Sequence, residues 1–218
     1  MAEGVYRITE QFEQELCRYT GAPYVVAVDN CSNALFLTLK YENIEGKEIT
    51  IPARTYPSVP CAIIHAGGYV NFFSVKGKTL KGAYNLIGSK TWDSALRFTS
   101  KMYLPGTFMC LAFTGPYKHL KLGKGGAILT DDRDAYLWFK RARFSGRREC
   151  SYHTDFFDMI GINCYLTPEL AARGLQLMLQ FYDIEGNPKE NEDIEMPYPD
   201  LSKFPVYTCR DIDPWGRK

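Results

Sequence analysis

The sequence has almost no surplus charge: 26 Lys and Arg stand against 25 Asp and Glu, a formal net charge of +1 over 218 residues. That removes the electrostatic case for a nucleic-acid partner or an acidic membrane surface. It has no apolar run long enough to read as a bilayer-spanning segment. It has no Cys-x-x-Cys pair. The seven cysteines, Cys17, Cys31, Cys61, Cys110, Cys150, Cys164 and Cys209, are odd in number and scattered, and several lie in apolar runs. That reads as buried thiols in a reducing compartment rather than disulfides or zinc. Histidine is scarce, and neither His65 nor His153 has partners at metal-ligand spacing. Met1-Ala2-Glu3-Gly4 is neither basic nor followed by the apolar core of a signal peptide. No internal repeat or low-complexity tract is present. These absences predict a soluble, cytoplasmic protein with no metal and no membrane partner, long enough for one domain with a sizeable core.

What is present has the rhythm of an α/β chain. Val5, Ile8, Phe12, Leu16 and Tyr19 recur at helical spacing, and Gly21 sits where a helix ends. Tyr24-Val25-Val26-Ala27-Val28 is continuously apolar, as a strand buried on both faces must be. A helix over residues 34–39, a strand over 48–52, a helix over 61–65 with Pro60 in its first turn, and a strand over 69–73 follow. Residues 131–143 read as a helix, acidic early and basic late, and 144–154 as a polar, basic, mobile loop. Another helix runs from Thr167-Pro168 to Phe181. This alternation predicts a three-layer α/β sandwich with a mostly parallel sheet. Ligands of such sheets sit beyond the carboxyl ends of the strands, where Asp29, Asp93 and Lys118 are expected. After Asp183 the composition turns to Glu, Asn, Asp and Pro. Residues 183–218 therefore read as a tail or linker, not an independent domain, that wraps residues 1–182 or stays mobile.

The stretch from Trp92 to Thr130 carries the chemistry. Asp93 follows a short strand, and Phe108-Met109-Cys110-Leu111-Ala112-Phe113 ends at Thr114-Gly115-Pro116-Tyr117-Lys118-His119. Gly123-Lys124-Gly125-Gly126 then leads into a second apolar strand. The glycine turn matches neither a Walker-A loop nor a dinucleotide fingerprint. An acid at one strand end and a lysine at the next is the pairing that pyridoxal phosphate (PLP) sites need. The lysine forms the Schiff base, and the carboxylate keeps the ring nitrogen protonated. On spacing alone the signal is weak, because Lys121 and Lys124 are equally available.

The same segments resemble the DegT/DnrJ/StrS family of PLP-dependent sugar aminotransferases. Asp93-Ser94-Ala95 is similar to the family's Glu-Asp-Ala-Ala-Gln or -His, and 112–119 to its Ser-Phe-x-Pro-Thr-Lys-Asn. Residues 123–126 are similar to its Thr-Gly-Glu-Gly-Gly, and 12–34 to its opening motif ending Val-Ser-Asn-Gly-Thr-Ala-Ala. Residues 51–56 resemble its Val-Pro-Ala-Leu-Thr-Phe, and 161–167 its Gly-Tyr-Asn-Tyr-Arg-Met-Thr. The resemblance covers most of residues 5–182 and implies the large domain of a fold type I aminotransferase. It implies Lys118 and Asp93 as catalytic residues. It implies Cys31, Ser32 and Asn33 at a helix start cradling the cofactor phosphate, with Tyr56 on the ring. It also implies Thr114 in the role of a phosphate-bonding serine, and Asn163 reaching a neighbouring subunit's phosphate.

The departures are specific. Cys31 replaces a glycine, Leu96 a Gln or His, Ala112 a serine, and Tyr165 an arginine. Each lost polar contact in a buried site is worth about 1 kcal/mol. Only residues 76–90 fill the place of a further strand and helix, and the family's C-terminal domain has no counterpart before Lys218. The resemblance implies a PLP-dependent aminotransferase acting on a keto-sugar nucleotide, with an amino-acid donor such as glutamate, in a homodimer. Two alternatives stand beside it: a non-catalytic relative that binds a partner, and a PLP-dependent sugar dehydratase, in which histidine replaces the lysine.

Overall fold

A computed structural model describes residues 7–74, 79–209, 213 and 215. Val5 and residues 75–78 of the shortened gap lie outside the described residues. The chain opens with α1 (Arg7–Thr20), β1 (Tyr24–Val28), α2 (Cys31–Tyr41), β2 (Glu48–Pro52), α3 (Ser58–His65) and β3 (Tyr69–Phe73). Then come β4 (Leu80–Asn85), β5 (Thr91–Leu96), β6 (Phe108–Ala112), β7 (Gly126–Thr130), α4 (Arg133–Ala142) and α5 (Pro168–Met178). A two-residue strand, β8 (Glu195–Met196), lies in the tail. Among the described residues no helix is long and apolar enough to cross a membrane.

The strands are apolar on both faces because both faces are covered. Val25 and Ala27, Met109 and Leu111, and Ala127 and Leu129 pack with Phe12 and Leu16 of α1 and Ala171 and Met178 of α5. Val26 and Val28, Cys110 and Ile128 point the other way, into a core with Leu35 and Leu39 of α2, Ile63 of α3 and Phe139 of α4. Period-two alternation thus serves two cores at once, and helix–sheet–helix layering follows. A buried ion pair locks one side: Glu13 accepts from the Ala27 amide at 2.9 Å and from Arg143, which also donates to the Ala27 carbonyl.

The α/β class is as expected, but the pairing is mixed rather than mostly parallel. The main sheet runs β1-β7-β6-β5-β4-β8, and among its neighbours only β5 and β6 are parallel. β2 and β3 form a parallel pair of their own. Thr50 of β2 exchanges two hydrogen bonds with Ile87, just beyond β4, at 2.9 and 3.0 Å, so this pair continues the sheet past β4. β1, β2, β3, β5 and β6 share one direction; β4 and β7 are reversed. The reason for β4 is length. Residues 86–90 are too short for the crossover that parallel neighbours require, so β4 and β5 close as an antiparallel hairpin.

Several boundaries also differ. Asp93 sits within β5, not after it, because the hairpin extends that strand to Leu96. α2 begins at Cys31 and α3 at Ser58, each three residues earlier than apolar periodicity suggests, since first turns tolerate polar residues.

Candidate active site

The hairpin and the sheet register decide where Asp93 points. Asp93 lies opposite Tyr84 of β4 and opposite Cys110 of β6. Directly opposed residues share a face, so Asp93 faces the α2 layer. There it is 5% exposed. Its Oδ1 accepts the Ala95 N–H at 2.9 Å, and its Oδ2 accepts the Tyr84 hydroxyl at 3.0 Å. Tyr84 is held in turn by Thr55 Oγ1 at 2.6 Å. Burial raises the Asp93 pKa; the Ala95 amide, Tyr84 and Lys118 pull it back.

Lys118 comes from the turn beyond β6 and reaches back across the strand ends to donate to the Ala95 carbonyl. Its pKa is lowered by burial, against the opposing influence of Cys31 and Asp93. Lys121 and Lys124 are exposed; Lys124 pairs at the surface with Asp29 at 3.7 Å. Of the three lysines, only Lys118 is turned inward. His119 faces elsewhere, its Nε2 2.7 Å from the Glu192 carbonyl.

The start of α2 stands above the acid. Cys31 Sγ lies 3.6 Å from the Cys110 carbonyl, and burial pushes its thiol well up. Asn30 caps the helix, accepting from the Asn33 amide at 2.8 Å. Asp29 Oδ1 receives the side-chain amides of Asn30 and Asn33 at 2.9 and 2.7 Å. The N–H groups of Cys31 and Ser32 belong to the first turn, where no intrahelical acceptor exists. Gly126 permits this arrangement. A Cβ there would lie 2.7 Å from Asn30 C, Cys31 N and Leu111 O, so only glycine lets β7 pass beneath the helix start.

Ser32, Asn33 and Tyr56 line a cleft of about 890 Å³ with Phe36, His65 and Trp215. Thr114 is engaged otherwise: its hydroxyl accepts the Gly125 amide at 3.2 Å and lies 3.4 Å from the Gly125 carbonyl. Asn163 is exposed, on a segment bridged to Phe144; its neighbour Ile162 lines this cleft, but Asn163 itself does not. The structure therefore gathers Lys118, Asp93 and Cys31 into one interior, with Ser32, Asn33 and Tyr56 at its rim. It leaves Thr114 and Asn163 outside.

Sequence reasoning missed Tyr84, Thr55 and Tyr198. Tyr198, in the tail, has its ring centroid 6.0 Å from that of Tyr56, edge to face. Tyr84 was recoverable: Gly88-Ser89 between two strand-like runs is a hairpin signal. Tyr198 lies in a proline-rich stretch with no period to follow.

Residues 4–90 match the sequence model of the DegT/DnrJ/EryC1/StrS aminotransferase family. Seventy-two residues are 39% identical to the spore coat polysaccharide biosynthesis protein SpsC of Bacillus subtilis, covering 33% of this chain and 18% of SpsC. AtS13 from Actinomadura melliaura superposes with a TM-score of 0.66 at 19% identity, over 82% of this chain and 62% of AtS13. The PLP form of Spr1654 from Streptococcus pneumoniae gives 0.66 at 18% identity, over 79% and 59%. The chain thus spans about a fifth of SpsC and about three fifths of each solved structure. Over residues 4–90 the sequence is similar to the DegT/DnrJ/EryC1/StrS aminotransferase family, and over about four fifths of the chain the fold is similar to that of the two solved structures.

Proposed function

We propose that the protein is a PLP-dependent aminotransferase that moves an amino group from an amino acid such as glutamate to a keto-sugar nucleotide. One observation carries this reading: Lys118, alone of the turn lysines, enters the buried space that holds Asp93 beneath the start of α2. The donor set suits the cofactor. Asp93 has one donor on each oxygen, and a carboxylate oxygen accepts two.

When bound, PLP supplies an electron sink and a carbonyl for covalent capture. Asp93 would hold the ring nitrogen, and Tyr56 the ring face. The first-turn amides of Cys31 and Ser32, with the Ser32 hydroxyl, would hold the phosphate, with a helix N-terminus favouring the anion. Burial weakens the hold of Lys118 on its proton, which favours the neutral amine needed for nucleophilic attack and later for proton transfer. Residues 1–182 form the cofactor-binding domain in this reading. The protein acts in the cytoplasm as a homodimer, with Thr114 and Asn163 contributing only if the bound state moves them.

The test is direct. Purified protein with added PLP should absorb in the visible, and borohydride followed by peptide mapping should place the label on Lys118. Label on Lys121 or Lys124 would shift the register of the site. No absorbance and no label would favour the non-catalytic relative. That reading draws on Tyr84, which already occupies one oxygen of the acid. The dehydratase reading requires His119 in the lysine's place, and its ring is directed to the tail.

A further inference from the structure

Residues 191–201 cross the site as a continuous band. Asn191 donates to the Tyr19 hydroxyl at 2.7 Å, and the Glu192 carbonyl meets His119, beside Lys118. Asp193 takes two hydrogen bonds from Arg97 at 2.8 and 2.7 Å, and the Ile194 amide donates to the Leu96 carbonyl at 3.0 Å. β8 then pairs with Leu80 and Lys81 of β4. At the far side Arg54 donates to the Tyr198 carbonyl at 3.0 Å, and the Leu201 amide to the Ala53 carbonyl at 2.7 Å.

The band is therefore fixed at the end of β5 and again just past the end of β2, and Tyr198 hangs between. Its ring meets Tyr56 edge to face. Burial, then Asp93, Tyr56 and Cys31, push its hydroxyl pKa up to about 12. Those three neighbours are the residues assigned above to the ring nitrogen, the ring face and the phosphate. The scaffold also makes room for the band: a Cβ on Gly82 would fall 2.3 Å from Asp193 Oδ2.

Resting on the aminotransferase reading for what it excludes, we propose that residues 191–201 are a releasable strap. It holds the site closed, with Tyr198 in the space that a planar anionic ligand would occupy. The anchors are mostly polar, the strap strand is two residues long, and Leu201 is its only described fully buried apolar residue. Such segments open locally at far lower free energy than core strands. A ligand that binds only the lifted state has its apparent affinity reduced by the fraction lifted.

The experiment uses the full chain and reads Lys118 directly. Reductive methylation with formaldehyde and cyanoborohydride is followed by peptide mass mapping, with exposed Lys121 as the internal reference. Asp193→Asn weakens one anchor and Tyr198→Ala removes the occupant. Lys118 should label at least tenfold faster in the double variant, and to an intermediate extent in Asp193→Asn, with Lys121 unchanged. PLP should bind the double variant at least tenfold more tightly than the parent. An unchanged Lys118 rate in both variants, each with a cooperative thermal transition, overturns the strap. Faster Lys118 labelling with no PLP binding in any form keeps the strap and overturns the aminotransferase reading instead.

Discussion

Asp93 has two flanks, and they are built differently. On one side β6 runs parallel to β5, and the chain leaves β6 in the turn that carries Lys118. On the other side β4 runs antiparallel through a tight reversal. Parallel strands end together, so space opens beyond their carboxyl ends and a turn lysine can reach into it. A hairpin instead delivers a side chain directly opposite, and here that side chain is Tyr84. In the proposed reading the lysine flank would offer a reactive group to a ligand, while the hairpin flank satisfies the acid from within the protein. The same carboxylate is thereby positioned by one neighbour and partly occupied by the other.

The largest expected effect breaks the lysine flank. Lys118→Ala should abolish the borohydride-fixed PLP adduct and all transamination, while Lys121→Ala and Lys124→Ala retain both by intact-mass and coupled-rate assays. Asp93→Asn should still bind PLP but lose about 100-fold or more in turnover, about 2.7 kcal/mol of barrier. An effect below tenfold would mean that the carboxylate does not hold the ring nitrogen.

Gly126→Ala tests the support beneath α2. Its Cβ meets backbone on three sides, so urea denaturation should show a loss of about 1–3 kcal/mol. Unchanged stability would show that the helix start can shift. Tyr84→Phe tests the hairpin flank. Removing a hydroxyl that bonds both Thr55 and Asp93 should cost about 1 kcal/mol by the same measurement.

The smallest effect is a slope. Burial raises the Asp93 pKa in the folded state, so the folded protein holds this proton more tightly than the unfolded chain. Its contribution to stability is greatest below the ordinary aspartate pKa. That contribution is lost as pH climbs from there through the raised folded value. Thermal melts across that window should fall less steeply with pH for Asp93→Asn than for the parent.

The layers were legible where residues obey one period. The run 24–28 announced a doubly buried strand, and Phe12, Leu16 and Tyr19 an amphipathic helix. The inward turn of Lys118 was not legible. Lys118, Lys121 and Lys124 differ only in which turn residue faces the strand ends, a three-dimensional fact. The antiparallel course of β4 was hidden for another reason: Gly82 interrupts its apolar alternation, and it is there to admit Asp193 from more than a hundred residues downstream. The bond between Thr114 and Gly125 was not legible either, because a hydroxyl looks the same in sequence whether it serves a ligand or its own turn.

The position of β1 has a consequence during synthesis. Its ladder partner is β7, with Tyr24 opposite Thr130, made about a hundred residues later. At about 5–20 residues per second, β1 leaves the ribosome about 5–20 s before it can pair. Until then α1, α2 and α3 can shield this apolar strand, but α4 and α5 cannot. We therefore expect the nascent chain to recruit a holding chaperone over that interval, and a translation-arrest force profile to stay flat until Thr130 has cleared the exit tunnel. A pulling signal at shorter lengths would show that the β4–β5 hairpin and α2 fold without waiting for β1.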